Sequence, residues 1–225
     1  MFNRIPNYIK YIFTHLSFLF LFIFLFRILF YFLFSELDNI STNEVKIGFS
    51  LGARFDLKLA VITIFPIAIL VLITNYKFLS KKIYKIIANI YFTIAYVILT
   101  LFFLFDFGYY DYLNIRLDAS SLRFLSNLKI SGQVLVESYP IYKGLIGLLL
   151  LGIAVFGLSK FIYKSFTNQK TLITTKVKSF YFIGTFLILS FGIYNSFTHY
   201  PLRWSQAFLS KNNAVNQFTL NPVLY

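Results

Sequence analysis

Residues 11–34 read YIFTHLSFLFLFIFLFRILFYFLF, and this stretch decides the fold. Only Thr14, His15, Ser17 and Arg27 interrupt an otherwise apolar run, which is longer than the roughly 20 residues that an α-helix needs to cross a bilayer. A signal peptide has a shorter apolar region and a cleavage site of small residues, and neither feature is present here. We therefore predict an uncleaved transmembrane helix.

The rest of the chain repeats this apolar character. Of its 225 residues, 58% are hydrophobic and only 13% are charged, too few to cover the core of a soluble domain with polar surface. Further spans are expected near residues 57–74, 83–107, 139–159 and 180–197. The sequence thus predicts an all-α, polytopic membrane protein: a domain of about five transmembrane helices over residues 1–197, followed by an outer-face linker over residues 198–225.

The basic residues of alternate segments between these spans are accompanied by no acidic residue. They are Arg4 and Lys10 before the first span, Lys77, Lys81, Lys82 and Lys85 between the second and third, and Lys160, Lys164, Lys170, Lys176 and Lys178 between the fourth and fifth. All eight acidic residues lie in or beside the other two loops. The positive-inside rule then places the N-terminus in the cytoplasm and the C-terminal tail outside. The net charge of +13 is explained by this sidedness, so we expect no nucleic-acid partner.

The two outer loops and two prolines give more local expectations. Pro66 lies inside the second span and predicts a kink there, and Pro140 suits a first helical position. Gly48 and Gly52 are expected to be turn points of the first outer loop. In the second outer loop, residues 108–138, we expect a short amphipathic helix at the membrane surface. Ser120 or Ser121 would cap it, Leu122, Leu125 and Leu128 would form its apolar side, and Gly132 would follow its end.

Arg27 is the most conspicuous candidate for function because it lies roughly 10 Å inside the outer end of the first span, at 1.5 Å per residue. Two interpretations are open. Arg27 and Asp56 can form a structural ion pair that holds the first two helices together. Alternatively, Arg27 and Arg54 can bind the headgroup of an anionic lipid, since guanidinium groups suit phosphate oxygens.

Other polar residues carry weaker signals. Asp106 and Asp111 flank the outer end of the third span, where paired carboxylates can do acid–base or metal chemistry but more often mark the water interface. The lysine clusters are interpreted as topology determinants rather than lipid-recruiting sites. His15 is expected to make a polar contact with a neighbouring helix rather than to act as a ligand. Without cysteine, and without a nucleophile or metal-binding motif, the sequence offers no catalytic residue and no metal site.

Two segments resemble a known family. Gly52-Ala53-Arg54-Phe55-Asp56-Leu57 is similar to the G-x-R-F-D-L signature of lipoteichoic acid synthase-like proteins, phosphoglycerol transferases of the alkaline phosphatase/sulfatase superfamily. The tail segments 201–208, PLRWSQAF, and 216–222, NQFTLNP, resemble the stretch that follows that family's last span, with Phe218 in place of the commoner leucine.

The resemblance implies an anchoring module in the bacterial cytoplasmic membrane, with five spans and membrane lipids, including anionic phospholipid, around it. The family's catalytic domain lies outside the cell, transfers phosphoglycerol or phosphoethanolamine groups to envelope polymers or lipids, and carries a divalent metal such as Mn or Mg. That domain is expected either C-terminal to this segment or on a separate chain. The alternative is a non-enzymatic membrane protein, such as a small transporter or a subunit of an envelope complex.

Overall fold

The computed structural model of the chain describes residues 5–34, 41–74, 76–118, 121, 141–167 and 175–225. Within these ranges lie the long helices α1 (Asn7–Phe34), α2 (Thr42–Thr74), α4 (Lys82–Leu113), α5 (Ile141–Thr167) and α6 (Thr175–Tyr194) and the short helices α3 (Tyr76–Ser80) and α7 (Asn213–Thr219), with one 3-10 turn (Trp204–Ala207). The described part of the chain contains no strand, as predicted.

Five of the helices are long and apolar enough to cross a membrane. The fold is therefore that of a multi-pass, all-α membrane protein, which confirms the predicted fold class. The helices extend beyond the predicted spans at several ends, because apolar content marks the lipid-embedded part of a helix and not its last hydrogen-bonded turn. The largest difference is in α2, which begins at Thr42 and not near residue 57.

The early start of α2 is explained by a capping box. The backbone N–H of Glu44 donates to the Ser41 hydroxyl at 3.2 Å, and the Ser41 backbone N–H donates back to the Glu44 carboxylate at 3.4 Å. Gly48 and Gly52 consequently lie inside a helix, so their prediction as turn points is wrong. Pro66 also lies within continuous α2.

The helices pack around α1 and α2. Helix α1 contacts α2 on one side and the antiparallel pair of α4 and α5 on the other, while α6 packs on α2. Buried apolar side chains of α1, α2 and α4 form the main core, with Leu19, Ile64 and Phe92 fully inside it. His15 is buried in that core and stacks on Phe92 of α4 at 3.9 Å between ring centroids. This is a contact between helices, but not the polar one that was expected, because Nε2 of His15 has no hydrogen-bond partner among the described residues.

The tail after α6 folds back onto the bundle. Leu202, Ala207 and Leu220 pack with Phe55 of α2, and Val215 and Phe218 of α7 pack with Phe30 of α1. The segment predicted as an outer-face linker, residues 198–225, is thus packed against the helices. The amphipathic helix expected around residues 120–132 lies outside the described residues, apart from residue 121, and so does Pro140.

Candidate functional site: a buried charge cluster that holds the tail

Arg27 and Asp56 form a two-pronged ion pair at the end of the bundle where the tail packs. The Nε of Arg27 donates to Oδ2 of Asp56 at 2.7 Å, and Nη2 donates to Oδ1 at 2.6 Å. Both side chains are almost fully buried, with 3% and 1% of their surface exposed. This fork geometry gives the strongest arginine–carboxylate contact, and it joins α1 to α2.

The remaining nitrogen of Arg27 binds the tail. Its Nη1 donates to the backbone carbonyl oxygens of Phe218, Thr219 (2.9 Å) and Leu220 (3.2 Å) at the end of α7. A helix leaves its last carbonyl groups without partners in the helix, and a buried cation is well suited to satisfy them. Arg27 therefore connects α1, α2 and the tail at a single guanidinium group.

Asn221 completes this contact from the side of the tail. Its side-chain Nδ2 donates to Oδ1 of Asp56 at 2.9 Å, and its Oδ1 accepts from the backbone N–H of Val223 at 3.1 Å. Both oxygens of the Asp56 carboxylate are thus engaged by Arg27, and one also by the tail. Three hydrogen bonds therefore hold this buried carboxylate, two from α1 and one from the tail.

Two glycines of α2 make room for these contacts. A Cβ atom on Gly52 would lie 2.5 Å from Nη1 of Arg27. A Cβ atom on Gly48, one turn earlier, would lie 2.6 Å from the ring of Phe218. The need for glycine at these positions therefore comes from the close approach of Arg27 and the tail, and not from a turn.

A second buried ion pair lies beside the first. Nη2 of Arg116 is 3.0 Å from Oδ2 of Asp106, with 3% and 0% of the two side chains exposed. The guanidinium carbon of Arg116 lies 3.9 Å from the ring centre of Phe30, a cation–π contact. The backbone N–H of Leu117 donates to Oδ1 of Asp106 at 2.9 Å, and that of Arg116 donates to the side chain of Gln217 at 3.2 Å. The ion pair therefore holds the segment after α4 against that helix, and the backbone N–H of Arg116 joins the same segment to α7.

Arg116 lies beyond the end of α4, and its pKa reflects both its burial and its charged neighbours. Burial lowers the pKa of Arg116 to about 10, and the nearby carboxylate of Asp106 opposes that shift. Arg27 also lowers the pKa of Arg116, and Asp56 raises it, because the two ion pairs lie near one another. We call Arg27, Asp56, Asp106 and Arg116 the buried charge cluster.

The sequence-predicted residues are placed as follows. Arg27 and Asp56 meet in the ion pair of the first interpretation. Arg54 does not join them: its Nη2 donates to the carbonyl of Asn195 at 2.5 Å, while Nδ2 of Asn195 donates to the carbonyl of Arg54 at 2.6 Å. The nitrogens of Arg27 are already engaged, so the structure gives no support to a headgroup site shared by Arg27 and Arg54.

The two aspartates at the end of α4 are in different environments. Asp111 is exposed, as expected of a residue at the water interface, whereas Asp106 is fully buried against Arg116. The interpretation of Asp106 as an interface marker is therefore wrong, because a partner ten residues later allows its burial. In the described part of the chain no three histidine or acidic side chains lie close enough together to hold a metal ion.

Sequence reasoning missed Arg116 and the role of Asn221. The available signal was the position of Asp106 within the apolar run of the third span, since a buried carboxylate needs a cationic partner and Arg116 follows ten residues later. Comparison with known proteins adds no further constraint, since no family model, no curated protein and no solved structure matches the chain.

Proposed function

We propose that this chain is the membrane-anchoring module of a phosphoglycerol or phosphoethanolamine transferase of the sulfatase superfamily. It resides in the bacterial cytoplasmic membrane, and the tail lies on the outer face. The observation that supports this proposal is the meeting of the two segments that resemble lipoteichoic acid synthase-like proteins. Asp56, from the G-x-R-F-D-L-like segment, bonds directly to Asn221, from the N-P-containing tail segment, across 165 positions of sequence.

The proposed role explains why the tail is held so firmly. A water-soluble catalytic domain that acts on lipid headgroups gains effective concentration when it is tethered at the membrane surface. Arg27 and Asn221 fix the end of the tail against α1 and α2, so that a catalytic domain joined to the tail or docked on it keeps a defined position. The buried charge cluster then positions the catalytic domain and takes no part in the transfer reaction.

The outward orientation of the tail is open to a direct test because the chain contains no cysteine. Lys211→Cys introduces a thiol at an exposed tail position, and Lys81→Cys introduces one at an exposed position between α3 and α4. In intact cells a membrane-impermeant maleimide should label the first variant and not the second. After permeabilisation, both should react. Labelling of Lys81→Cys alone in intact cells contradicts the proposed orientation and, with it, the anchoring of an exported enzyme.

The transferase assignment has its own test. Deletion of the gene should remove phosphoglycerol or phosphoethanolamine groups from an envelope polymer or lipid, as measured by mass spectrometry of cell-envelope fractions. Expression of the full gene product should restore them. An envelope whose phosphoglycerol and phosphoethanolamine content is unchanged by the deletion would contradict the assignment, whatever the orientation of the tail.

A further inference from the structure

A cleft of about 490 Å³ lies between α2 and the tail, away from the buried charge cluster. Its lining includes the polar side chains of Lys58, Arg203 and Trp204 and an apolar part, which we call the floor, of Phe55, Leu202 and Leu224. Several of these residues lie in the two segments quoted for the family resemblance, but sequence reasoning assigned none of them a ligand-binding role. The cleft combines positive charge with apolar surface, which is the combination that an amphiphilic anion requires.

The cleft lies where the apolar part of α2 begins. Lys58 is the one charged residue in the apolar stretch 57–74 and stands second in it. Its Nζ donates to the carbonyl of Leu202 at 2.7 Å, which brings the tail to the same level. Lysine side chains near the ends of membrane helices extend toward the headgroup layer, so this level is the membrane boundary.

Aromatic side chains around the cleft give an independent marker of the same level. Phe197 is 93% exposed, Tyr200 62%, Trp204 48% and Phe208 46%. Such a group of exposed aromatic residues in a 12-residue segment would be unfavourable in water but is typical of the interface between lipid and water. The tail segment 197–208 therefore lies against the headgroups.

The two cations of the cleft keep donors available for a ligand. Lys58 uses one of its three N–H groups on Leu202, and Arg203 places its guanidinium face 4.6 Å from the ring centre of Tyr200, which leaves the N–H edge free. Neither residue takes part in the two ion pairs found among the described residues. Among the described residues, no carboxylate forms an ion pair with Lys58 or Arg203, so their positive charge is available to a ligand.

We infer that this cleft binds the phosphate of an anionic glycerophospholipid, with Lys58 and Arg203 on the phosphate oxygens and the glycerol and upper acyl chain on Phe55, Leu202 and Leu224. Trp204 lies at the mouth, beside the headgroup. The inference does not depend on the transferase assignment, because it concerns binding and holds for any function of the tail.

The single tryptophan of the chain makes the test specific, because Trp204 lines the cleft. The full chain is reconstituted in phosphatidylcholine vesicles, and quenching of Trp204 fluorescence is measured with either phosphatidylglycerol or phosphatidylcholine brominated high on the acyl chain. The quenching curves give the relative association constant of the two lipids. We expect phosphatidylglycerol to be preferred roughly fivefold to tenfold, as two cations at a membrane surface suggest.

Variants separate the cleft from the general positive charge of the protein. Lys58→Gln/Arg203→Gln should reduce the preference to below about twofold, whereas Lys211→Gln, an exposed tail lysine outside the cleft, should leave it unchanged. Arg203→Gln alone should reduce the preference about twofold to threefold, and it disturbs no backbone contact of the tail. A preference that survives the double variant, or that Lys211→Gln lowers equally, overturns the proposal.

A last arm distinguishes a lipid from a soluble phosphate. Glycerol 3-phosphate at millimolar concentration should not restore Trp204 fluorescence quenched by brominated phosphatidylglycerol, because it lacks the acyl chain that covers the apolar floor. Full recovery at that concentration would assign the cleft to a soluble phosphate ester and overturn the lipid proposal. Absence of recovery, together with the loss of preference in the double variant, supports it.

Discussion

The two ends of the helical bundle are closed by different chemistry. At the tail end, where residues 195–225 pack, two buried ion pairs connect helices and tail. At the opposite end, which we call the lysine end after the lysines around α3, the hydroxyl of Tyr163 donates to the carbonyl groups of Phe78 and of Lys81 (3.3 Å). Rings of Tyr11 and Phe78 pack beside it, 5.4 Å apart. Both ends pack aromatic rings, but buried ion pairs are found at the tail end, whereas the lysine end relies on rings and a hydroxyl group.

This difference predicts which end of the bundle depends on single residues for its stability. A buried charge that loses its partner is left uncompensated, and this costs several times more than the pair itself contributes. A neutral aromatic cluster distributes its stabilisation over many weak contacts, so one missing group removes only its own share. We therefore expect the tail end to respond sharply to single substitutions and the lysine end to respond mildly.

Asp56→Asn should have the largest effect. The substitution keeps the shape of the side chain but leaves the Arg27 guanidinium buried without a counter-charge, for which we expect a loss of about 3–5 kcal/mol in the free energy of unfolding. The measurement is an equilibrium titration with SDS in mixed micelles, followed by helical circular dichroism. Tryptic cleavage at Arg203 and Lys211 should also become faster, because the tail loses its attachment to α1 and α2.

The matched control is Asp111→Asn, which removes the same charge from an exposed position at the tail end. We expect a change within about 0.5 kcal/mol for this variant. If the two aspartate variants unfold at the same SDS concentration and lose their tails to trypsin equally fast, the ion pair does not hold the tail end together. The contrast between the two ends would then have no energetic basis.

Gly52→Ala should have the next largest effect. The added methyl group would lie 2.5 Å from Nη1 and 2.6 Å from Cζ of Arg27, so the guanidinium group must move away from the tail carbonyls. Such overpacking typically costs about 1–3 kcal/mol. Gly144→Ala in α5 is the control, since a Cβ atom there meets no other atom within 4 Å. Equal stability of both variants in the same SDS titration would show that the Arg27 side chain can move at little cost in free energy. The buried charge cluster would then be loosely packed.

The transmembrane helices could be predicted from sequence, because an apolar run of sufficient length has few alternatives to a membrane span. The contact between Arg27 and Asp56 could be reduced to one of two interpretations, since a buried guanidinium needs an anion and Asp56 was the nearest candidate. An apolar run, and a charged residue inside it, are visible in the sequence without knowledge of the fold.

The remaining contacts of the tail end depend on residues that only folding brings together, from ten to more than a hundred positions apart. Gly52 resembles a turn glycine until Arg27 is seen to occupy the space of its missing side chain. From the sequence, Asp106 resembles a residue at the water interface, but in the structure it is buried against Arg116. Asn221 lies in a polar tail that resembles a linker, but its side chain bonds to Asp56. Each of these residues acquires its role from a partner that the chain brings near only on folding, so neither composition nor periodicity could reveal it.

Tyr163→Phe tests the lysine end and should have the smallest effect. The variant loses the hydroxyl bonds to Phe78 and Lys81 but keeps the ring, which packs edge-on against Tyr11 at 5.9 Å. A neutral hydrogen bond contributes about 0.5–1.5 kcal/mol net, so we expect a loss of that size in the SDS titration. Tyr142→Phe, at the exposed opposite end of the same helix, should change nothing measurable. A loss as large as that of Asp56→Asn would mean that one hydroxyl organises the lysine end as strongly as a buried ion pair organises the tail end. The aromatic end would then also depend on a single residue, and the tolerance that we infer for it from its neutral contacts would be refuted.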